Sequence, residues 1–188
     1  RYVKGKAHQP WRDTHFRVEG KGVHGLQSAF LIDWYVVTRQ LIKGKAYYPN
    51  EAFFGDNLMQ ILSGGPTGRW RVLLQAFIFC IANAKRYLYI QTPYFLPTEG
   101  LTQALQTAAL GGVDVRLMLP ERSDTRSAHL ASHSYLDDML RAGVKVYFYR
   151  TGFLHSKLLL SDDELACIGS ANFDFRSFEH NFEINAFV

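Results

Sequence analysis

The sequence is 188 residues long, 47% hydrophobic, and has a formal net charge of +4 and two cysteines. This size predicts one domain, or one domain with an appendage, and the mild basicity favours anionic partners such as phosphates, acidic lipid surfaces or nucleic acid. The longest apolar run, residues 72–82, is far shorter than the ~20 residues that span a bilayer. Cys80 and Cys167 lie in apolar runs, which predicts buried free thiols.

The first third of the chain predicts one strand, one helix and a long loop. Polar and apolar residues alternate over residues 15–19, as in a strand. Apolar residues recur at helical spacing over residues 23–38 and predict an amphipathic helix. Residues 39–68 are rich in glycine and proline and predict a loop. The aromatic residues of this loop, which would pack onto the body or form a flap near a membrane, are Tyr47, Tyr48, Phe53 and Phe54.

Strands and helices alternate through the rest of the chain. Helices are predicted over residues 69–85, from a cap at Thr98 to about Leu110, and from a cap at Asp124 to Arg141. Strands are predicted over residues 87–92, 113–119 and 144–149. This alternation predicts parallel pairing with right-handed crossovers. The expected fold is therefore α/β, a mixed-sheet α/β/α sandwich with its active residues at strand ends and in loops.

Four polar side chains are predicted to meet across a hairpin. A strand presents alternate residues on one face, so His155 and Lys157 point the same way, as do Ser170 and Asn172. An apolar run, an acidic turn and a second apolar run separate the two pairs, which predicts a hairpin. A turn centred on residues 163–164 would place His155 opposite Asn172 and Lys157 opposite Ser170. Paired residues on one sheet face have Cβ atoms roughly 4.5–5.5 Å apart.

These side chains suit phosphoryl chemistry without a metal. An imidazole can attack phosphorus or transfer a proton, and an ammonium, a hydroxyl and an amide can hold anionic oxygens. Glu183, in a third predicted strand over residues 182–188, could fix the imidazole tautomer and stabilise the imidazolium. No second carboxylate and no cysteine accompanies them, so no metal site is expected. The set is consistent with transfer through a phosphohistidine.

The motif His155-x-Lys157-x4-Asp162-x6-Gly169-Ser170-x-Asn172 resembles the H-x-K-x4-D signature of the phospholipase D superfamily. Glu183 stands where that family places the carboxylate that bonds the histidine. Four further stretches are similar to bacterial cardiolipin synthases, so the resemblance covers nearly the whole chain. They are Trp11-Arg12-Asp13-Thr14-His15, Gln91-Thr92-Pro93-Tyr94-Phe95-Leu96-Pro97, Gly112-Val113-Asp114-Val115-Arg116 and Ser177-Phe178-Glu179-x-Asn181-Phe182-Glu183.

The resemblance implies a sandwich of the phospholipase D type and a phosphatidyltransferase that forms cardiolipin and glycerol from two phosphatidylglycerols, with no cofactor. The implied catalytic residues are His155, Lys157, Ser170, Asn172, Glu183 and Asp162, and the implied substrate-binding residues are Lys157, Ser170, Asn172 and Tyr94. Asp162 lies in the predicted turn, and an odd number of positions separates it from His155, so the two side chains would point to opposite faces of the sheet. A structural role is therefore expected for Asp162. His155 is either the covalent nucleophile or, as second-motif histidines more often are, the acid–base partner.

The synthases that the chain resembles have two such motifs, whereas one occurs here. Residues 11–14 resemble the segment that closely follows the first motif. The chain is therefore predicted to contain the tail of a first half (residues 1–40), a linker (41–68) and a second catalytic domain truncated at its C-terminus (69–188). A complete site would need a second motif from the missing part of the chain or from a second copy. The expected location is the bacterial inner membrane, peripheral or anchored by segments outside this sequence.

Two other functions remain open. A phospholipase D or an endonuclease of the same superfamily would use the same imidazole, because nothing in the motif selects a lipid alcohol over water. Nucleic acid is the less favoured partner, because the flanking stretches resemble a lipid synthase, while the net charge is too small to choose between the two. The third possibility is a non-catalytic phosphate-binding piece, and the chain alone, with half a site, is expected to be inactive.

Overall fold

A computed structural model describes residues 10–49 and 55–188. The strands are β1 (Trp11–Arg12), β2 (Gln60–Gly64), β3 (Tyr87–Gln91), β4 (Phe95–Leu96), β5 (Asp114–Pro120), β6 (Lys145–Tyr149), β7 (Phe153–Leu154), β8 (Leu158–Ser161), β9 (Leu165–Gly169), β10 (Phe173–Asp174) and β11 (Glu183–Phe187). The helices are α1 (Val23–Thr38), α2 (Val72–Asn83), α3 (Glu99–Leu110), α4 (Arg126–Ser134), α5 (Leu136–Arg141) and α6 (Phe175–Glu179).

A seven-stranded mixed sheet in the order β2-β11-β9-β8-β3-β5-β6 forms the centre of the molecule. The strands β3, β5 and β6 pair in parallel, as predicted from the strand–helix alternation, and the remaining pairs are antiparallel. Helices α2, α3 and α5 pack together over one face. The α/β mixed-sheet prediction is confirmed. Alternate residues of the central strands enter the core, including Leu88, Ile90, Val115, Leu117 and Leu119.

Helix α1 lies on the opposite face of the sheet, at its β2 edge. Gly25 of α1 packs on the side chain of Ile61, whose neighbour Leu62 faces the core on the other side. The predicted boundaries of this helix are confirmed, but its apolar face is not buried within the described part of the chain. The side chains of Phe30 and Val37 are 56% and 82% exposed.

The N-terminal predictions need two corrections. Residues 15–19 form no strand, and the pairing in this region is instead made by the short strand β1, which lies beside β7. The predicted loop over residues 39–68 contains a 3₁₀ turn, Lys45–Tyr47, and the strand β2. β2 was missed because its antiparallel partner, β11, comes more than a hundred residues later and local alternation is weak. Phe53 and Phe54 lie outside the described residues.

The helix predicted from Asp124 to Arg141 is two helices. Thr125, not Asp124, caps α4, because its hydroxyl accepts a hydrogen bond from the backbone N–H of Ala128. Tyr135 separates the two helices, because it is both the C-cap residue of α4 and the N-cap residue of α5. The predicted cap at Thr98 is confirmed, since its hydroxyl accepts from the N–H of Leu101 at the start of α3.

The predicted hairpin forms, but its register differs by one residue from the prediction. Leu158 pairs with Ile168 and Ser161 with Leu165, which leaves residues 162–164 in the loop. Asp162 and Asp163 both have left-handed backbones, with φ of 58° and 64°, the conformation that tight hairpin turns require. The loop is therefore one residue longer than the predicted turn. A shift of one residue moves a side chain to the other face of a sheet, and this shift changes which residues meet Lys157.

Candidate active site

His155 directly follows β7 and is fixed there by a segment from the far N-terminal part of the chain. Trp11 pairs with Phe153 in parallel, and the backbone N–H of His155 donates to the carbonyl of Arg12 at 2.7 Å. The hydroxyls of Thr14 and the buried Ser156 are 2.8 Å apart. Residues 11–14 thus lie along the H-x-K motif, although they precede it by 142 residues.

The imidazole of His155 is held from both sides. Its Nδ1 lies 3.1 Å from Oδ2 of Asp13, and its Nε2 lies 3.0 Å from Nζ of Lys157. A carboxylate only accepts hydrogen bonds and an ammonium only donates them. The proton of a neutral imidazole is therefore on Nδ1, and the lone pair is on Nε2. Nε2 is the nitrogen that can react.

Burial strongly affects the charge states of His155 and Lys157. It lowers the pKa of His155 below its ordinary value, and the positive charge of Lys157 acts in the same direction, while the hydrogen bond to Asp13 opposes them. Burial also lowers the pKa of Lys157 to about 8, against the negative charges of Asp13, Glu183 and Asp174. Near neutral pH the imidazole is therefore mostly neutral and the amine mostly charged. The site combines a reactive nitrogen with a cation suited to phosphate oxygens.

The predicted hydrogen bond between Glu183 and His155 is replaced by one in which Nδ1 of His155 donates to Asp13. Oε1 of Glu183 instead accepts hydrogen bonds from Oγ of Ser177 at 3.2 Å and Nδ2 of Asn181 at 3.1 Å. These short-range partners come from α6 and the turn before β11, and both bond the same carboxylate oxygen. Glu183 still acts on the site through its charge, which raises the pKa of Lys157. Its catalytic role stays a prediction.

Ser170 does not meet Lys157, contrary to the predicted pairing. Lys157 lies opposite Gly169, whose N–H donates to the Lys157 carbonyl, so the next residue, Ser170, points to the other face. Its hydroxyl is exposed and accepts a hydrogen bond from the N–H of Ile184 at 2.9 Å. A one-residue change of register is sufficient to separate the two side chains.

Asn172 lies in the polar cluster around Lys157, although not directly opposite His155. Its Nδ2 donates to Asp174, and its backbone N–H donates to Ser177, the residue that also bonds Glu183. Its Oδ1 is buried and has no hydrogen-bond partner among the described residues. This oxygen can accept a hydrogen bond from a ligand, whereas only the amide Nδ2 can donate one to a phosphate oxygen. Contact with substrate stays a prediction for Asn172.

Comparison with known proteins decides the family. The model of the family described as "Cardiolipin synthase, PLD-like domain" matches residues 77–188. The chain belongs to this family. It is 44% identical to cardiolipin synthase 2 of Bacillus cereus and 46% identical to the cardiolipin synthase of Geobacillus thermodenitrificans, each over 180 residues, or 95% of this chain. Those stretches are 35% and 36% of the relatives, so the chain spans about a third of their length.

Solved structures share the fold. Nuc from Salmonella typhimurium, a phospholipase D family member, has a TM-score of 0.57 at 24% identity, over 69% of this chain and 82% of Nuc. Phosphatidylserine synthase of Haemophilus influenzae has a TM-score of 0.54 at 18% identity, over 70% of this chain and 35% of the synthase. The fold of this cardiolipin synthase family member is therefore of the phospholipase D type, as the H-x-K-x4-D motif predicted.

Asp162, the third residue of the family motif, lies far from the imidazole, at the opposite end of β8. Its carboxylate accepts hydrogen bonds from the backbone N–H groups of Lys85, Arg86 and Tyr87 at 2.7, 2.9 and 2.8 Å. It ties the hairpin turn to the start of β3. These contacts are those expected of a structural role, and the catalytic role that the resemblance implies for Asp162 stays a prediction.

Aromatic side chains border the imidazole of this family member. The ring of Trp11 lies 4.7 Å from that of His155, and the ring of Phe153 lies 5.8 Å from it. The ring of Tyr94 is 6.3 Å from Phe153, so Tyr94 belongs to the same surroundings. Its predicted contact with substrate stays a prediction. Trp11 and Asp13 are not predicted as site residues from the sequence, where their signal is the resemblance of the segment that contains them to the family.

Within residues 10–49 and 55–188, no three or more His, Cys, Asp or Glu side chains are grouped so that they could hold a metal ion. None of the helices in the same ranges combines the length and the apolar character that crossing a bilayer requires.

Proposed function

We propose that the full-length protein containing this chain is a phosphatidyltransferase that converts two phosphatidylglycerols into cardiolipin and glycerol. The observation that carries this proposal is the neutral imidazole of His155, with its Nδ1 on Asp13 and its Nε2 beside the ammonium of Lys157. The kinship with cardiolipin synthases of Bacillus and Geobacillus supports the choice of lipid. The substrates and the membrane surface that carries them are anionic, which suits the basic chain.

The first half-reaction uses His155 as an acid. A histidine from a second motif attacks the phosphorus of one phosphatidylglycerol, which forms a P–N bond and breaks the P–O bond to glycerol. His155, as the imidazolium, gives its Nε2 proton to the departing oxygen. The bound phosphodiester is an anion close to the ring, so it favours the imidazolium and offsets the effect of burial on the pKa.

The second half-reaction uses the same nitrogen as a base. The neutral Nε2 accepts the proton from a hydroxyl of the second phosphatidylglycerol, and the hydroxyl oxygen attacks phosphorus as the P–N bond breaks. Asp13 keeps the other ring proton on Nδ1 throughout, the role of the carboxylate in a catalytic triad. Lys157 and Asn172 bind the phosphate oxygens. If His155 were the nucleophile, the two histidines would exchange these roles.

The site in this chain is half of the proposed one. The second H-x-K-x4-D motif would come from the remaining part of the protein or from a second copy of the chain, and the 188-residue piece would be inactive alone. The proposed location is the bacterial inner membrane, peripheral or anchored by segments outside this sequence.

Product analysis tests the proposal. Full-length protein is added to phosphatidylglycerol vesicles, and cardiolipin, glycerol and phosphatidic acid are quantified. We expect cardiolipin and glycerol in equal amounts. Phosphatidic acid as the only phospholipid product would instead indicate a phospholipase D. Cleavage of DNA with a steep dependence on salt concentration would indicate an endonuclease.

A further inference from the structure

The carboxylate of Asp174 is buried beside the two side chains that are proposed to bind phosphate. Asp174 is 5% exposed and ends β10, which pairs in parallel with β4. Its Oδ1 accepts a hydrogen bond from the backbone N–H of Ser177 at 2.7 Å, and its Oδ2 accepts one from Nδ2 of Asn172 at 3.3 Å. Its negative charge also raises the pKa of Lys157. Asp174 therefore acts on both Asn172 and Lys157.

Capping a helix does not by itself require a carboxylate here. Asp174 is the N-cap residue of α6, and asparagine or serine caps a helix about as well as aspartate does. Burying a charge costs free energy, and the two groups that donate to Asp174 are both neutral. What distinguishes the carboxylate from those alternatives is that it can only accept hydrogen bonds.

This property determines the orientation of the Asn172 amide. Because the partner only accepts, the amide faces it with Nδ2 and not with Oδ1. The NH₂ group has two hydrogens, and the one that does not point to Asp174 is left for a second acceptor. A phosphate oxygen is such an acceptor. The main chain of Asn172 is fixed as well, since its N–H donates at 3.0 Å to Oγ of Ser177, a residue that is 1% exposed.

We propose that Asp174 is a positioning residue, which keeps the Asn172 amide in the orientation in which Nδ2 donates to the phosphate group that is transferred. The proposal rests on the proposed function, because it concerns the binding of that phosphate. Asp174 does not touch the reacting atoms and acts through Asn172. Its cap on Ser177 and its bond to Asn172 join the helix α6 to the phosphate site.

The substitution Asp174→Asn separates capping from orientation. The new amide oxygen can still cap Ser177, but its NH₂ group then meets the NH₂ group of Asn172. We expect Asn172 to turn its amide over and to accept with Oδ1, which removes the donor to phosphate. In full-length protein acting on phosphatidylglycerol vesicles, kcat/KM for cardiolipin formation should fall by roughly 10–100-fold, the usual effect of losing a hydrogen bond to a charged group. Asp33→Asn, on the exposed surface of α1, is the control.

A double-mutant cycle with Asn172→Ala shows whether Asp174 acts through Asn172. The cycle is measured at a pH well below about 8, where Lys157 is mostly charged. In the Asn172→Ala background, Asp174→Asn should change kcat/KM by less than about threefold, because no amide is left to turn. Equal losses in the two backgrounds would overturn the proposal, and so would an unchanged kcat/KM in folded Asp174→Asn.

The pH profile tests whether Asp174 is the charged, accepting group that the orientation requires. The other groups that face Lys157 are His155, Asp13 and Glu183, and they are the same in this variant. Loss of the Asp174 charge should make the alkaline decrease of kcat/KM begin at lower pH, an effect that a purely structural role would not produce. An unmoved decrease would mean that residue 174 carries no charge, and the proposal would fail.

A second variant covers the case in which Asp174→Asn does not fold. Asp174→Ser keeps a capping oxygen, but its shorter side chain cannot hold the Asn172 amide. Its loss of kcat/KM must likewise disappear in the Asn172→Ala background, and a loss that persists there would contradict the proposal. Failure of the proposed function has a different signature, since wild-type protein would then form no cardiolipin at all.

Discussion

At the residue scale, the reactivity of His155 depends on a carboxylate that supports Nδ1. Asp13 makes this contact at 3.1 Å, whereas Glu183 bonds Ser177 and Asn181. We therefore expect Asp13→Asn, which keeps the shape but removes the charge, to lower kcat by roughly 10²–10⁴-fold, the usual contribution of acid–base groups and their orienting partners. Steady-state kinetics of the full-length protein measure this.

The matched control for this substitution is Asp33→Asn, which removes the charge of an exposed carboxylate on α1. Glu183→Gln is the informative comparison, because the family resemblance gives Glu183 the role that the structure gives to Asp13. A larger loss of kcat in Glu183→Gln than in Asp13→Asn would contradict the assignment of Asp13.

The pH dependence follows from Lys157. Its pKa is lowered to about 8 by burial, so the charged amine that binds phosphate is present below that value and is lost as the pH rises through it. We expect kcat/KM to fall as the pH rises past about 8. In Lys157→Arg the guanidinium stays charged, so the alkaline decrease should move to higher pH. If the decrease stays at the same pH in that variant, another group is responsible.

At the element scale, the hairpin turn is joined to the rest of the sheet by Asp162. Three backbone N–H groups at the start of β3 donate to its carboxylate. Removing it in Asp162→Ala should lower the free energy of unfolding by about 1–2 kcal/mol, a value reduced for partial exposure of these hydrogen bonds. Denaturant unfolding of the chain measures this, with Asp33→Ala as the control.

Asp162→Ala should nevertheless leave the kcat of the folded full-length protein close to wild type, because the carboxylate lies at the other end of β8 from His155. A loss of kcat as large as that of an acid–base group, with normal stability, would instead support the catalytic role that the resemblance implies for Asp162.

The elements that the sequence predicts well are those with local signals. The 23–38 helix, the Thr98 cap and the parallel β3-β5-β6 strands all follow from periodicity and capping within a few residues. The strand β2 and the position of Ser170 do not follow from such local signals. The first depends on a partner more than a hundred residues away, and the second on the left-handed backbones of Asp162 and Asp163, which lengthen the turn by one residue.

At the scale of the whole molecule, the motif predicted the family, but it did not predict how the site is completed. Asp13 reaches His155 from 142 residues earlier in the chain and Trp11 from slightly further, and their position depends on the parallel pairing of two very short strands. No local pattern encodes such a contact. The family is therefore predictable here from the motif that contains His155 and Lys157, while the groups around them require the assembled fold.

The central claim is that His155 transfers the protons on which phosphatidyl transfer depends, and one substitution tests it most directly. Full-length protein with His155→Ala is compared with wild type and with His24→Ala, a histidine on α1 whose imidazole contacts the Pro49 carbonyl and the Tyr48 ring. Cardiolipin formation from phosphatidylglycerol should fall by at least about 10²-fold in His155→Ala and stay near wild type in His24→Ala. Near-normal cardiolipin formation by folded His155→Ala would contradict the account.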